Sequence, residues 1–509
     1  MSSVTIVGAG LAGCEAALQC ARRGVPVRLF EMRPLKMTEA HETGDAAELV
    51  CSNSLKSDEP ENAHGLLKAE LRVLGSVLLE CAERARVPGG KALVVDRRRF
   101  SAEVQSELSR AGVTTEPGEV SSIPPAQFPY RRRFGFTDPH QPTVELQTQP
   151  GPTVSATVIA TGPLTSPPMA DALQALLGAE HLFFYDAIAP IVSFESLDMT
   201  RVFAGSRYGA GSDYLNCPMT EEEYDRFVTA LLGAELHPLH SFERAGLGHG
   251  PDLGKGTGSC PAPRFFEGCL PVEEIARRGR LALAFGPMKP VGLTDPRTGR
   301  RPFAVVQLRR ENAEGTMFNL VGFQTRLKQG EQERVLRMIP GLEKVAFLRF
   351  GSIHRNTFLN SPEVLMSTLQ ARVRPDLLFA GQLTGVEGYV ESLGAGLVAG
   401  INAARLAVGA ESLELPREMM MGSLLGYISA SRDLGHDSEA RWGQSLEVAQ
   451  GSAKGQSPFA SRFQPMNANF GLLPPLNRRM RGREKRRFLA ERALEAARAF
   501  ALTVAGNRA

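Results

Sequence analysis

The sequence predicts an α/β fold with a smaller α+β domain inserted into it, on three observations. A strand, a glycine turn, a helix and a second strand open the chain; a further strand and glycine-lined helix come hundreds of residues later; and the stretch between them fits neither unit. Val4 to Val7 is a short apolar strand, followed by Gly8, Ala9, Gly10, Leu11, Ala12 and Gly13. Cys14 to Arg23 carries helical spacing, and Val25 to Phe30 is a second strand ending on Glu31. In this GxGxxG spacing Gly8 makes the tight turn, Gly10 lets backbone approach a pyrophosphate, Gly13 lets helix pack on strand, and the helix N-terminus faces the anion. Glu31, eighteen residues past Gly13, is positioned to accept a ribose hydroxyl.

Thr153 to Pro163 reads as a strand running into a glycine turn, a return to the same sheet. Leu377 to Ala380 is another strand, followed by Gly381 and Gly388 and by small residues recurring from Ser392 to Ala404, a helix pressed close to a neighbour. NAD and FAD share the first fingerprint. The second glycine turn and helix suit a flavin whose pyrophosphate lies on the first helix and whose ribityl and ring lie on the second. The expected architecture is therefore a Rossmann-like, glutathione-reductase-like FAD domain in residues 1–163 and 360–509, with an α+β domain inserted at 164–359 for substrate or RNA. Pro124 to Pro142, Ala245 to Pro263 and Asp433 to Ser461 read as peripheral loops.

Fifty-eight basic and 55 acidic residues nearly cancel, so a polyanion must be met by a local patch. No apolar run approaches the length of a membrane span. Nothing before the first strand reads as a secretion signal. The seven cysteines, an odd number with no CxxC, argue against a disulfide framework and a zinc site, and no cluster has metal-ligand spacing. The expectation is a cytoplasmic protein that holds no metal.

Longer motifs carry a resemblance. GAGLAG, Glu31-Met32-Arg33-Pro34, LVCSNSL, ALVVDRRRF, ATGPLTS, DYLNCPMT, FEGCLPVEE, FGPMKPVGL, VVQLRREN, NLVGFQTRLK, HRNTFLNSP and QPMNANFGLLPPL, in order along nearly the whole chain, resemble the folate- and FAD-dependent tRNA uracil-5-methyltransferase family (TrmFO). The resemblance implies an FAD domain with an insertion, methylenetetrahydrofolate as carbon donor, NAD(P)H as reductant and the T-loop uridine of tRNA as target. The chemistry is coherent. The folate carbon sits at the formaldehyde level, so a methyl group needs two further electrons, which a reduced flavin supplies. Uracil C5 becomes nucleophilic once a thiolate adds at C6.

Two cysteines are candidates. By resemblance Cys269 attacks uracil C6, and Cys51 sits near the flavin N5 edge, moving the methylene group or a proton, with Ser52, Asn53 and Ser54 supplying hydrogen bonds. Cys14, Cys20, Cys81 and Cys217 read as packing, and Cys260 falls in a peripheral stretch. Lys289, in what reads as an apolar strand, holds the folate tail or an RNA phosphate, or is a snorkelling surface lysine. His354 and Arg355 read as folate or base contacts, or as a core pair. Asp96 and Arg97 read as a buried or interdomain pair. Asn477 to Arg487 carries seven basic residues against one acid, so Arg478, Arg479, Arg486 and Arg487 are candidate phosphate contacts; a solvated helix face is the alternative. The rival functions are the same reaction on ribosomal RNA, a flavin-binding partner protein in tRNA modification, and a small-molecule oxidoreductase.

Overall fold

The structure is a computed structural model that describes residues 3–125, 155–178, 182–209, 211–237, 270–430, 463–476 and 480–506. The three peripheral stretches lie wholly or mainly outside the described residues, as do Cys260, Cys269, Arg478 and Arg479.

The opening unit folds as its pattern requires. β1 (Val4–Val7) runs into α1 (Leu11–Ala21) and β2 (Val27–Glu31). β1 pairs in parallel with β2 on one side and with Ala156–Ile159 on the other. The full sheet runs Gln370–Ala371, Arg374–Phe379, Ala156–Ile159, β1, β2, Thr115–Pro117, parallel except at the Gln370–Ala371 edge. Chain direction away from β1 reverses here, and the crevice at the carboxyl end of β1 is where such sheets bind ligands.

The neighbour of the second glycine-lined helix is α1. The helix spans Tyr389–Ala407, and a Cβ on Gly396 would lie 2.3 Å from the Ala12 carbonyl oxygen, one on Gly400 2.6 Å from Ala16. Only glycine permits that approach. Cys20 Sγ donates to the Gly400 carbonyl at 3.2 Å across the same contact. Cys14, Cys20, Cys81 and Cys217 are all fully buried, and burial raises each thiol, Cys20 and Cys81 to about 12, so these four pack as expected.

The insertion is a six-stranded antiparallel sheet in the order Phe203–Ala204, Tyr214–Met219, Ala304–Arg310, Met317–Leu320, Ile191–Ser193, Phe347–Arg349. Helix Glu221–Leu232, opened by a Thr220/Glu223 capping box, buries Tyr224, Phe227 and Leu231 in this domain's own core. A two-stranded ribbon, Leu182–Ala187 with Ile353–Phe358, carries the chain in and out. The insertion thus begins later than residue 164. Helix Pro167–Leu177 buries Met169 and Leu173 against Val7, Ile159 and Phe379 of the nucleotide-binding sheet. Among the described residues no helix is long and apolar enough to cross a membrane.

Candidate active site at the domain interface

A cleft enclosing about 1040 Å³, its open mouth included, begins at the crevice beyond β1. It is lined by Gly8, Gly10, Leu11 and Ala12, by the end of β2, by Ala160 to Leu164, and by Gly381, Gln382, Tyr389 and Ser392. It joins the two helix N-termini that the sequence reading assigned to one ligand. The glycines divide by role. A Cβ on Gly8 would strike the Ala160 carbonyl oxygen at 2.5 Å and one on Gly13 the Gly8 carbonyl oxygen at 1.8 Å, so these two serve the fold. At Gly10 the backbone is ordinary (φ −75°) and a Cβ meets no protein atom within 4 Å, so nothing in the fold demands glycine there. Space kept clear at a helix N-terminus inside a cleft fits a pyrophosphate. Ala9, Gly13 and Gly388 do not line the cleft. Gly388 is a positive-φ residue (119°) before the second helix, and a Cβ there would meet Glu391 Oε2 at 2.3 Å.

Glu31 sits where the spacing puts it, but its oxygens are already engaged. They accept from the Ala9 N–H at 2.9 Å and from the Arg33 N–H, Nε and Nη2 at 3.0 to 3.1 Å. A carboxylate offers about four acceptor sites. Burial raises its pKa, but the Arg33 hydrogen bonds and charge outweigh burial and hold it below the usual value. Glu31 therefore shapes the cleft wall with Arg33, and a ribose hydroxyl must share an occupied oxygen. His41 also faces the cleft. Burial, then Arg33, pushes it down to about 4, so it is neutral and shares a 2.6 Å hydrogen bond with Thr38.

Cys51 lies beside the far end of the cleft, next to the lining residues Val50 and Tyr389. The Tyr389 hydroxyl accepts the N–H groups of Cys51 (2.8 Å) and Ser52 (3.2 Å), and its oxygen lies 3.0 Å from Cys51 Sγ. With its lone pairs taken by backbone donors, the phenol directs its own proton at the sulfur. Burial, and then the Cys51 charge, pushes the tyrosine well above its ordinary pKa, so that proton stays. Two guanidiniums converge on the same backbone. Arg97 Nη1 donates to the Leu49 and Val50 carbonyls, and Arg349 Nη1 donates to the Val50 carbonyl at 2.9 Å. Arg97 Nη2 is buried with no partner among the described residues. The Cys51 sulfur thus has a hydroxyl within hydrogen-bond distance, and two arginines hold the carbonyls just before it.

Ser52 and Asn53 do not serve the thiol. They accept from Arg309 of the insertion at 2.8 and 2.9 Å, Asn53 also donates to the Arg310 carbonyl, and Ser54 Oγ accepts the Lys56 N–H. Asp96 and Arg97 are interdomain contacts, though not with each other. Asp96 caps helix Arg97–Arg110 and accepts the Ala313 N–H, and Arg97 Nε pairs with Glu311 at 2.8 Å. The Cys51 end of the cleft is thus assembled by both domains.

The other candidates are dispersed. Lys289 is not in a strand: Phe285 ends helix Ala282–Phe285 and turns follow, with the Lys289 ammonium 5.7 Å from the Tyr208 ring. His354 is buried on the ribbon opposite Asp186, and Arg355 pairs through its backbone with Tyr185. Arg486 and Arg487 are exposed on helix Gly482–Gly506, which packs on helix Ala63–Val73. No group of His, Cys, Asp and Glu suited to a metal occurs among the described residues.

A family model described as "Glucose inhibited division protein A" matches residues 3–411. Two solved structures of Aquifex aeolicus GidA, in crystal forms II and I, superpose with a TM-score of 0.59 at 16% identity over 98% of this chain and 74% and 76% of theirs, a likeness of fold. The methylenetetrahydrofolate--tRNA-(uracil-5-)-methyltransferase TrmFO of Moorella thermoacetica is 51% identical over 97% of both chains. That of Desulforudis audaxviator is 50% identical over 97% of this chain and 96% of its own. At that identity over nearly the full length, the chain belongs to the TrmFO family.

Proposed function

We infer that this protein forms 5-methyluridine in tRNA, taking carbon from methylenetetrahydrofolate and electrons from NAD(P)H through FAD, in the cytoplasm. The observation that carries the reading is the Cys51 thiol, held by Tyr389 at the end of a dinucleotide cleft. Bound FAD supplies the two electrons that take the folate carbon to the methyl level.

The residues divide the remaining work. Gly10 and the α1 N-terminus hold the pyrophosphate, while Gly381, Gln382 and Ser392 line the cleft by the second helix. The thiolate of Cys269 adds to uracil C6, breaking the C5–C6 double bond and making C5 nucleophilic. After C5 has taken the carbon it must lose its hydrogen as a proton, and the Cys51 thiolate is the base that receives it, steadied by the Tyr389 O–H. The folate nitrogen leaves the transferred carbon, and as that carbon is reduced to the methyl level the Cys269 thiolate is eliminated from C6, restoring the C5–C6 double bond. Exposed Arg486 and Arg487, with Arg478 and Arg479, contribute to phosphate binding; Lys289, His354 and Arg355 remain candidate substrate contacts.

Mass spectrometry of nucleosides from a tRNA transcript incubated with protein, methylenetetrahydrofolate and NADPH tests this. 5-Methyluridine is expected with the wild type and is lost in Cys51→Ala and in Cys269→Ala. No methylation by flavin-loaded wild type, or normal methylation by both variants, overturns it.

A further inference from the structure

Two aromatic rings and Arg207 on the insertion are left without a role by this scheme, and they stand beside Lys289, whose contact it does not specify. Tyr208 is 64% and Phe285 80% exposed, among the most exposed large apolar side chains described. Tyr208 holds a left-handed backbone (φ 63°), a conformation a bulky residue adopts only at a cost. Lys289 lies 5.7 Å from its ring, and Arg207 Nη2 donates to the Pro287 carbonyl at 2.6 Å, tying residues 207–208 to the 285–289 turn. Neither Arg207 nor Lys289 forms an ion pair among the described residues, and Arg207 Nε is buried with no partner there. Burial lowers the Arg207 pKa, with only Tyr208 and Tyr214 opposing it. A partly buried cation without a carboxylate calls for an anion from outside.

A chain of neighbours links the cluster to the Cys51 loop. Ser52, next to Cys51, accepts from Arg309, and Arg309 faces Tyr214 on the adjacent strand. Tyr214 feels the charges of both Arg309 and Arg207. Strand Phe203–Ala204, which leads toward Arg207, is next in the sheet and lies roughly 10 Å, two strand spacings, from the Arg309 strand.

We propose that Arg207, Tyr208, Phe285 and Lys289 form a nucleotide-docking site on the insertion, stacking a base of the RNA near the target uridine on the exposed rings and holding its phosphate with the two cations. The proposal rests on tRNA being the substrate. An extruded target base leaves its neighbours unstacked, and an aromatic platform replaces that stacking without reading sequence.

The test measures binding of flavin-loaded protein to a tRNA transcript by fluorescence anisotropy, with 2-aminopurine beside the target uridine as a stacking reporter. Tyr208→Asn, chosen because asparagine tolerates the left-handed backbone, and Phe285→Ala are each expected to weaken binding about 5- to 150-fold. Flavin content and thermal midpoint should stay unchanged, and the 2-aminopurine quenching should be lost. Tyr208→Trp should restore both signals, and Lys289→Gln should flatten the salt dependence of binding. Tight binding by wild type with equal binding and quenching in the variants overturns the docking site alone. A raised KM for methylenetetrahydrofolate with unchanged tRNA affinity would reassign the cluster to the folate and likewise overturns it. No binding of tRNA by wild type overturns the substrate reading and the docking site with it.

Discussion

The hydroxyl of Tyr389 lies 3.0 Å from Sγ of Cys51, a residue 338 positions earlier, while accepting the N–H groups of Cys51 and Ser52. One side chain therefore fixes the loop that carries the thiol and supplies the donor that the sulfur accepts. Replacing it with phenylalanine strands two backbone donors and removes that O–H. Tyr389→Phe should keep its flavin yet methylate about 10- to 100-fold more slowly, the cost of roughly one or two polar interactions. Alkylation of Cys51 by iodoacetamide should shift to higher pH. An unshifted alkylation profile would mean that the phenol does not stabilise the thiolate.

Cys51 is half-buried, and its Sγ lies 3.0 Å from the Tyr389 hydroxyl. Cys51→Ala should retain FAD, bind tRNA and lose under about 1 kcal/mol of stability, while turnover is abolished. Cys217→Ala, a change in a fully buried core thiol, should do the reverse, lowering the thermal midpoint and leaving turnover per folded molecule near normal.

Gly10 and Gly13 should fail in different ways. At Gly10 an added Cβ meets no protein atom within 4 Å and the backbone is unstrained, so Gly10→Val should fold but purify colourless. Gly13→Ala places a methyl 1.8 Å from the Gly8 carbonyl oxygen and should lower stability or yield insoluble protein. Circular dichroism with flavin absorbance separates the outcomes; full flavin in Gly10→Val would move the pyrophosphate elsewhere.

Glu391 is fully buried beside Tyr389 in the same helix, and its Oε1 accepts His64 Nδ1 and the Ala468 N–H, both at 3.0 Å. Burial raises its pKa, but the His64 hydrogen bond and the Lys56 and His64 charges outweigh it, setting it at about 2 against the usual 4.5. The folded-state value is depressed, so the contribution is fully present above about pH 4.5 and lost as pH falls toward 2. It is on the order of 3 kcal/mol. Below pH 4.5 the wild-type thermal midpoint should fall more steeply than that of Glu391→Gln; parallel acid limbs would contradict the assignment.

Arg486 and Arg487 stand exposed on the C-terminal helix, with Arg487 only 3.7 Å from its i+4 neighbour Glu491, a weak screened pair. Replacing both arginines with serine should weaken tRNA binding and reduce its salt slope by about 1 to 2, leaving flavin content alone. An identical slope would return the run to a solvated helix face.

What the sequence determined by itself was local or long enough to be unmistakable. GAGLAG between two strands states its own fold, because turn, helix start and packing glycine lie within six residues. The polar run after Cys51 made that thiol conspicuous, and a dozen motifs in order carried the family. Tertiary structure decided what the neighbours of those residues do. Tyr389 stood in plain view after Gly388, yet no spacing rule links it to a cysteine 338 residues away. Arg97 reaches Glu311 across 214 residues. The serine and asparagine that looked like the thiol's donors bind Arg309 instead, because both domains close over that loop. Periodicity reports which way a side chain faces along its own element. Which partner waits there is set by how the elements pack, and that is also why Gly10 and Gly13, three residues apart in one motif, have opposite reasons to be glycine: one faces open cleft, the other a carbonyl oxygen.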